Sequence, residues 1–191
     1  MHSFKNYLLG LGQLSEDDWL FLQSIQEETE VKSGVTFLRA DHRSQNEIFI
    51  LKGIVRAYFT DKEGNDRTTA FFSEGNFMST NTFRTDDGLS VHNYQALTDA
   101  IVLKINSSRL KEFFSGTKLL TAIGFSVKEA EKERLKRRDL MLLDISGEKK
   151  YRKFLEEFPD LENQVSHKYI ASYLGITPVS LSRIRKRTGR I

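Results

Sequence analysis

Apolar positions recur along the chain with different spacings, and the spacing changes mark its elements. Residues 1–28 read as helical: Ser15 precedes Glu16, Asp17 and Asp18, so it can cap a helix with an acidic first turn, and Leu14 and Trp19 stand where a hydrophobic staple would sit. From Val31 the texture turns β-branched and aromatic, in VTFLRA, EIFILKGIVRAYF, RTTAFF and YQALTDAIVLKI. Ser33-Gly34, Gly53 and the polar run Asp61 to Asp66 separate these stretches. Many short strands at this spacing predict an antiparallel sandwich or barrel over about residues 29–106. Residues 108–145 return to helix, with Leu119, Leu120, Ile123, Val127 and Ala130 at three- and four-residue steps. Between Lys128 and Arg138 only Ala130 and Leu135 are apolar; Glu133 can pair with Arg137 and Glu129 with Lys132. A narrow apolar stripe with charged flanks fits a seam between two chains, or a helix lying on its own barrel; the seam is the expectation. Asp144-Ile145-Ser146-Gly147 interrupts the pattern as a hinge, where Ser146 can cap a helix that runs to about Phe158, ahead of Pro159.

The last stretch is the most specific. From His167, Ile170 and Leu174 give one helix an inward face, and Ala171 is small where two helices would cross. Gly175 comes where the chain must reverse, a position that wants positive φ, and Ile176 plugs the turn. Thr177 can cap a second helix, Pro178 suits its first position, and Leu181 and Ile184 bury it. Val179, Ser180, Ser182, Arg183, Lys186 and Arg187 are left facing away from the first helix or flanking it. This is the layout of a helix-turn-helix whose second helix is free for the major groove of double-stranded DNA. Arginine can pair with guanine through two bonds, serine reaches bases or phosphates, and further basic residues neutralise phosphates. With Lys168 and Thr177, these residues form the candidate DNA-binding set. The plainer alternative is a helical hairpin with a solvated basic face.

Charge sharpens this picture. Residues 148–191 carry ten basic and five acidic side chains, net +5, while the remainder carries 19 and 21, net −2. A mildly acidic body with a basic C-terminal piece suits a polyanion-binding module. Hydrophobic content of 39% and charged content of 29% over 191 residues predict a folded chain of one large domain or two small ones. The absence of cysteine excludes disulfides, thiolate chemistry and cysteine-held iron–sulfur clusters. No apolar run reaches transmembrane length and the N-terminus lacks a signal-peptide pattern, so no membrane partner and a cytoplasmic location are expected.

The segment HKYIASYLGITPVSLSRIRKR resembles the helix-turn-helix of the Crp/Fnr regulators, and EIFILKGIVRAYF with DKEGNDRTTAFFSEGNF is similar to their cyclic-nucleotide-binding β-roll. The resemblance implies an α+β fold: an N-terminal antiparallel β-roll (1–107), a long dimerisation helix (108–145) and a C-terminal helix-turn-helix (146–191). The wing is expected to be reduced or absent, because the chain stops soon after Arg187. It also implies a homodimeric transcription regulator, paired through the 108–145 helix, that binds a palindromic site and touches RNA polymerase. Arg183 takes the family's base-reading position, with Ser180 and Ser182 beside it. Val179 stands where many members have a glutamate and Pro178 where others have an arginine; a valine can contact a thymine methyl but cannot accept from cytosine.

The effector site departs further. Aligning SEGNFMSTNTF on the family's nucleotide cassette puts Ser79 and Thr80 where a Gly-Glu pair belongs, and Ser90 falls at about the place of the phosphate-binding arginine. Arg84 lies several residues too early. A ribose hydroxyl wants a carboxylate acceptor and a cyclic phosphate a bidentate cation, so tight binding of cyclic AMP is not expected. Gly75, Ser79, Thr80, Asn81 and Ser90 remain candidates to line a pocket for another small ligand, and no cofactor is expected. Two other classes stay in view: an adaptor of the same fold that binds protein, and a small cupin-type enzyme. His42, Glu47 and His92 are too scattered for the latter, the four histidines (His2, His42, His92, His167) show no metal spacing, and no nucleophile motif appears. No enzymatic activity is therefore expected.

Overall fold

The computed structural model describes residues 2–78, 85, 87–115 and 117–189. Two short helices open the chain, α1 (His2–Leu11) and α2 (Glu16–Ser24). The cap on α2 is a full capping box: Asp18 N–H donates to Ser15 Oγ at 3.1 Å, and Ser15 N–H donates to Asp18 Oδ2 at 3.1 Å. The helix then stops at Ser24, and residues 26–28, expected to be helical, belong to strand β1 (Gln26–Val31). Three glutamates in that strand disguise it. They are tolerable because β1 is the edge of its sheet, and they leave Val31 to be buried.

The remaining strands are β2 (Thr36–Leu38), β3 (Asn46–Lys52), β4 (Val55–Thr60), β5 (Asp66–Phe72), β6 (Phe77–Met78), β7 (Asn93–Ala96) and β8 (Ala100–Asn106). They form two four-stranded sheets, in the orders β1-β8-β3-β6 and β2-β7-β4-β5. β8 pairs antiparallel with both β1 and β3. Gly53 makes the turn from β3 to β4 at φ +91°; a Cβ there would stand 2.6 Å from Asp99 O, so no other residue fits. Phe49, Leu103 and Ile105 of the first sheet pack with Phe4 and Leu8 of α1 and Leu22 of α2 in one apolar cluster.

Helix α3 (Ser107–Phe113) leads to the 25-residue α4 (Lys118–Leu142). Leu119 and Ile123 are buried in the same cluster and Val127 packs against it. These residues, read as part of a seam between chains, thus lie on their own roll. Phe125, Leu135 and Leu140 are the exposed large apolar residues of α4. The side chain of Leu120 is outside the described residues. Glu133 pairs with Lys136 at 3.6 Å rather than with Arg137, whose Nε donates to Glu157 at 3.2 Å, because a partner on another helix is better placed.

After α4 come α5 (Gly147–Glu157), a 3-10 turn (Leu161–Asn163), α6 (His167–Leu174) and α7 (Pro178–Arg187). Ser146 does stand at the N-cap of α5, in an extended conformation, but its side chain makes no capping bond. Gly147 is there for space. A Cβ on it would approach Ile184 Cδ1 to 3.1 Å and Ile176 Cγ2 to 3.6 Å, so the start of α5 fits closely against α7 and its turn. Among the described residues no strand follows α7.

The chain divides into two compact units, residues 1–57 with 71–131, and residues 58–70 with 132–191. The second unit therefore includes the end of the β4–β5 hairpin as well as the C-terminal helices. Ser172 of α6 joins them: its Oγ donates to Asp66 O at 2.9 Å and accepts from Thr68 N–H at 2.9 Å. Arg134 of α4 donates to Thr69 O at 3.2 Å, and the Arg138 guanidinium lies 5.6 Å from the centre of the Tyr173 ring.

Candidate nucleic-acid interface

The candidate interface is built on α6, the turn after it, and α7. α6 closes in a Schellman motif: Gly175 sits at φ 65°, its N–H donates to Ser172 O at 3.2 Å, and Ile176 N–H donates to Ala171 O at 3.0 Å. Thr177 then caps α7 by accepting from Ser180 N–H at 3.1 Å, and Pro178 occupies the first helical turn. Leu181 and Ile184 are the buried residues of α7. Ile170, Ala171, Tyr173 and Leu174 are those of α6.

This packing fixes which way the rest of α7 faces. Thr177, Val179, Ser180, Ser182, Arg183, Lys186 and Arg187 are all exposed, as is Lys168 at the start of α6. Val179 is 61% exposed, unusual for a β-branched residue with no polar atom to solvate. The side chains of Arg183 and Lys186 make no hydrogen bond or ion pair with the described residues, so their charges are available. Arg187 is partly engaged, with Nη2 3.5 Å from Glu148 Oε2. Thr177 and Ser180 share a hydroxyl–hydroxyl bond of 2.9 Å. Lys168 lies 4.8 Å from the centre of the Tyr169 ring. Ser180, Arg183, Lys186 and Arg187 line an open groove of about 580 Å³ together with Ser146, Gly147 and Glu148.

Arg185 departs from the basic run to which it belongs in sequence. Its side chain is 20% exposed, and its Nε donates to Glu162 Oε1 at 2.7 Å. Glu162, in the 3-10 turn, has a side chain only 3% exposed. The same Oε1 accepts from the Tyr151 hydroxyl of α5. Burial, reinforced by the bond to Glu162, pushes the Tyr151 hydroxyl up to about 12. Sequence reasoning missed this cluster. The pairing joins residues 151, 162 and 185, and no local spacing announces it.

The proposed effector site is only partly described. Ser79, Thr80, Asn81 and Arg84 lie outside the described residues. Gly75 sits in the turn before β6 at φ +83°, with its N–H on Ile50 O at 2.9 Å. Ser90 is buried, and its Oγ donates to His92 O at 2.7 Å. A fully buried guanidinium that the sequence reading did not single out stands on β4: Arg56 is 2% exposed and donates to Gln95 Oε1 at 2.8 Å. Among the described residues no group of three histidines or carboxylates could hold a metal ion, and no helix is long and apolar enough to cross a membrane.

With this geometry in hand, comparison with known proteins is informative. The family model of the cyclic nucleotide-binding domain matches residues 28–116. The matched span ends just before α4, so it covers the roll and α3. Solved structures extend the likeness along nearly the whole chain. FixK2 from Bradyrhizobium japonicum is 18% identical, with 86% of this chain and 85% of that one covered at a TM-score of 0.75. A putative transcriptional regulator of the Crp/Fnr family from Eubacterium rectale is 16% identical over 96% and 88%, also at 0.75. The c-di-GMP-responsive global regulator CLP of Xanthomonas campestris is 12% identical over 92% of both chains, at 0.71. No curated protein sequence matches the chain. The chain therefore has the α+β fold of Crp/Fnr regulators, roll and C-terminal helices included.

Proposed function

We propose that this protein is a transcriptional regulator of the Crp/Fnr type that binds a palindromic operator in double-stranded DNA as a homodimer. The observation that carries the reading is the division of α7 into two faces: Leu181 and Ile184 are buried, while Ser180, Ser182, Arg183 and Lys186 stand exposed together. In such a helix Arg183 reads a base, Val179 offers a methyl contact, and Lys186, Arg187, Lys168 and Thr177 meet phosphates. The division of labour follows the chain: roll to 107, dimerisation helix to 145, reader to 191. Pairing of two chains would use the exposed Phe125, Leu135 and Leu140 of α4. The protein acts in the cytoplasm, contacts RNA polymerase when bound, and catalyses no reaction. The roll senses a small molecule other than cyclic AMP or serves as a scaffold.

Two substitutions test the reading. Arg183→Ala is expected to cost roughly 1–3 kcal/mol on the preferred site and to blur the preference at one base position. Lys186→Ala is expected to weaken all sequences alike and to reduce the salt slope by about one ion. Titrations of both variants on preferred and scrambled duplexes against salt separate the roles. Equal loss for Arg183→Ala on every duplex would refute base reading.

A further inference from the structure

α7 is held by a narrow buried contact, against which the start of α5 fits closely at Gly147. Its buried contact is Leu181 and Ile184, three residues apart, and a contact that narrow resists removal of the helix better than it resists rolling or sliding. Directional bonds are what define a single orientation. Beside the exposed Arg187–Glu148 pair, the Arg185–Glu162–Tyr151 cluster supplies buried ones, from the face opposite to the groove. Arg185 is the third-last residue of α7, Glu162 sits in the turn between α5 and α6, and Tyr151 is in α5. Arg185 Nη1 also lies 3.4 Å from Nδ1 of His167, the first residue of α6.

We propose that Arg185 is a positioning residue for DNA reading: tied to the buried Glu162 and through it to Tyr151, it fixes the rotation of α7, and so the aim of Arg183, without touching DNA itself. The inference rests on the DNA-binding reading above. Breaking a buried charge pair leaves the other partner uncompensated, so the arrangement tolerates no half measures. Burial pulls the Arg185 guanidinium down, but its bonds to Glu162 and Tyr151 outweigh that and the net shift is upward, so the cation is kept. The charges also give opposite signs for two explanations. If Glu162 mattered only as a negative charge beside a polyanion, neutralising it would tighten binding to any DNA. As part of the lock, neutralising it loosens α7 and weakens binding to the preferred site.

The test uses the full chain, its selected duplex and a scrambled duplex, with Arg185→Met, Glu162→Gln and the double variant. The expected result is a loss of roughly tenfold for each single variant on the selected duplex, a much smaller change on the scrambled one and an unaltered salt slope. The double variant is expected to be no worse than the poorer single, because both remove one interaction. Equal loss for Arg185→Met on both duplexes with a slope shallower by about one ion would make Arg185 a phosphate contact and overturn the proposal. Tighter binding by Glu162→Gln on both would overturn it too. Amide exchange along α7 in the free protein keeps the question separate from DNA binding and from poor folding of Arg185→Met. Faster exchange in α7 of Glu162→Gln, with α6 unchanged, supports the lock even if the wild type selects no site. Unchanged exchange in α7 counts against it.

Discussion

At the scale of single residues, Tyr151 gives the C-terminal unit a pH limit with a definite sign. Its hydroxyl is raised from 10.0 to about 12 by burial and by the bond to Glu162, so folding favours the protonated form. Below pH 10 that stabilisation is fully present. Between pH 10 and about 12 the unfolded chain loses the proton first, and the stabilisation is lost as pH rises. Burial also pushes Tyr173 upward, and it adds to the same trend. The unfolding temperature is therefore expected to fall through this window, and Tyr151→Phe to fall less steeply with pH from its own starting value. Parallel slopes for the two proteins would contradict the assignment. Several residues with partners close in sequence were legible there, although Ser146 makes no capping bond and Glu133 pairs with Lys136 rather than with Arg137. Ser15, Gly175, Thr177 and Pro178 act within four positions of themselves. Arg185 and Arg137 were not legible, since Glu162 and Glu157 lie about twenty residues away and only the fold brings them near.

At the scale of elements, the strands were readable from β-branched and aromatic runs, and the helix-turn-helix from its caps and phased aliphatics. β1 was not, because Glu27, Glu28 and Glu30 carry a helix-like polarity that an edge strand tolerates. The stripe of α4 was ambiguous for a different reason. Periodicity shows that Leu119, Ile123 and Val127 share a face but not what covers it, and the cover is α1, α2 and the roll. Nothing in the local pattern showed that the β4–β5 hairpin end would meet α6. There the contact rests on Ser172, whose hydroxyl bonds both Asp66 O and Thr68 N–H. Ser172→Ala is expected to lose about 1–2 kcal/mol, since both bonds go at once. Faster exchange of the Thr68 amide, with α7 exchange unchanged, is the accompanying signature. An unaltered Thr68 amide would show that Ser172 does not hold the hairpin.

At the scale of the molecule, charge and fold point to the same end of the chain. The basic excess of residues 148–191 gathers where α7 presents Arg183, Lys186 and Arg187, while the rest of the chain is slightly acidic. A dimer with one such helix per protomer would present two readers to successive major grooves, about 34 Å apart. The measurement that tests this account most directly is selection of bound sites from random duplex DNA by the purified, ligand-free protein. The account predicts a palindrome whose half-sites are one helical turn apart, with Arg183→Ala relaxing the same base position in both halves. Salt-sensitive binding that selects no sequence, with or without added small molecules, would contradict it and leave α7 as a charged surface.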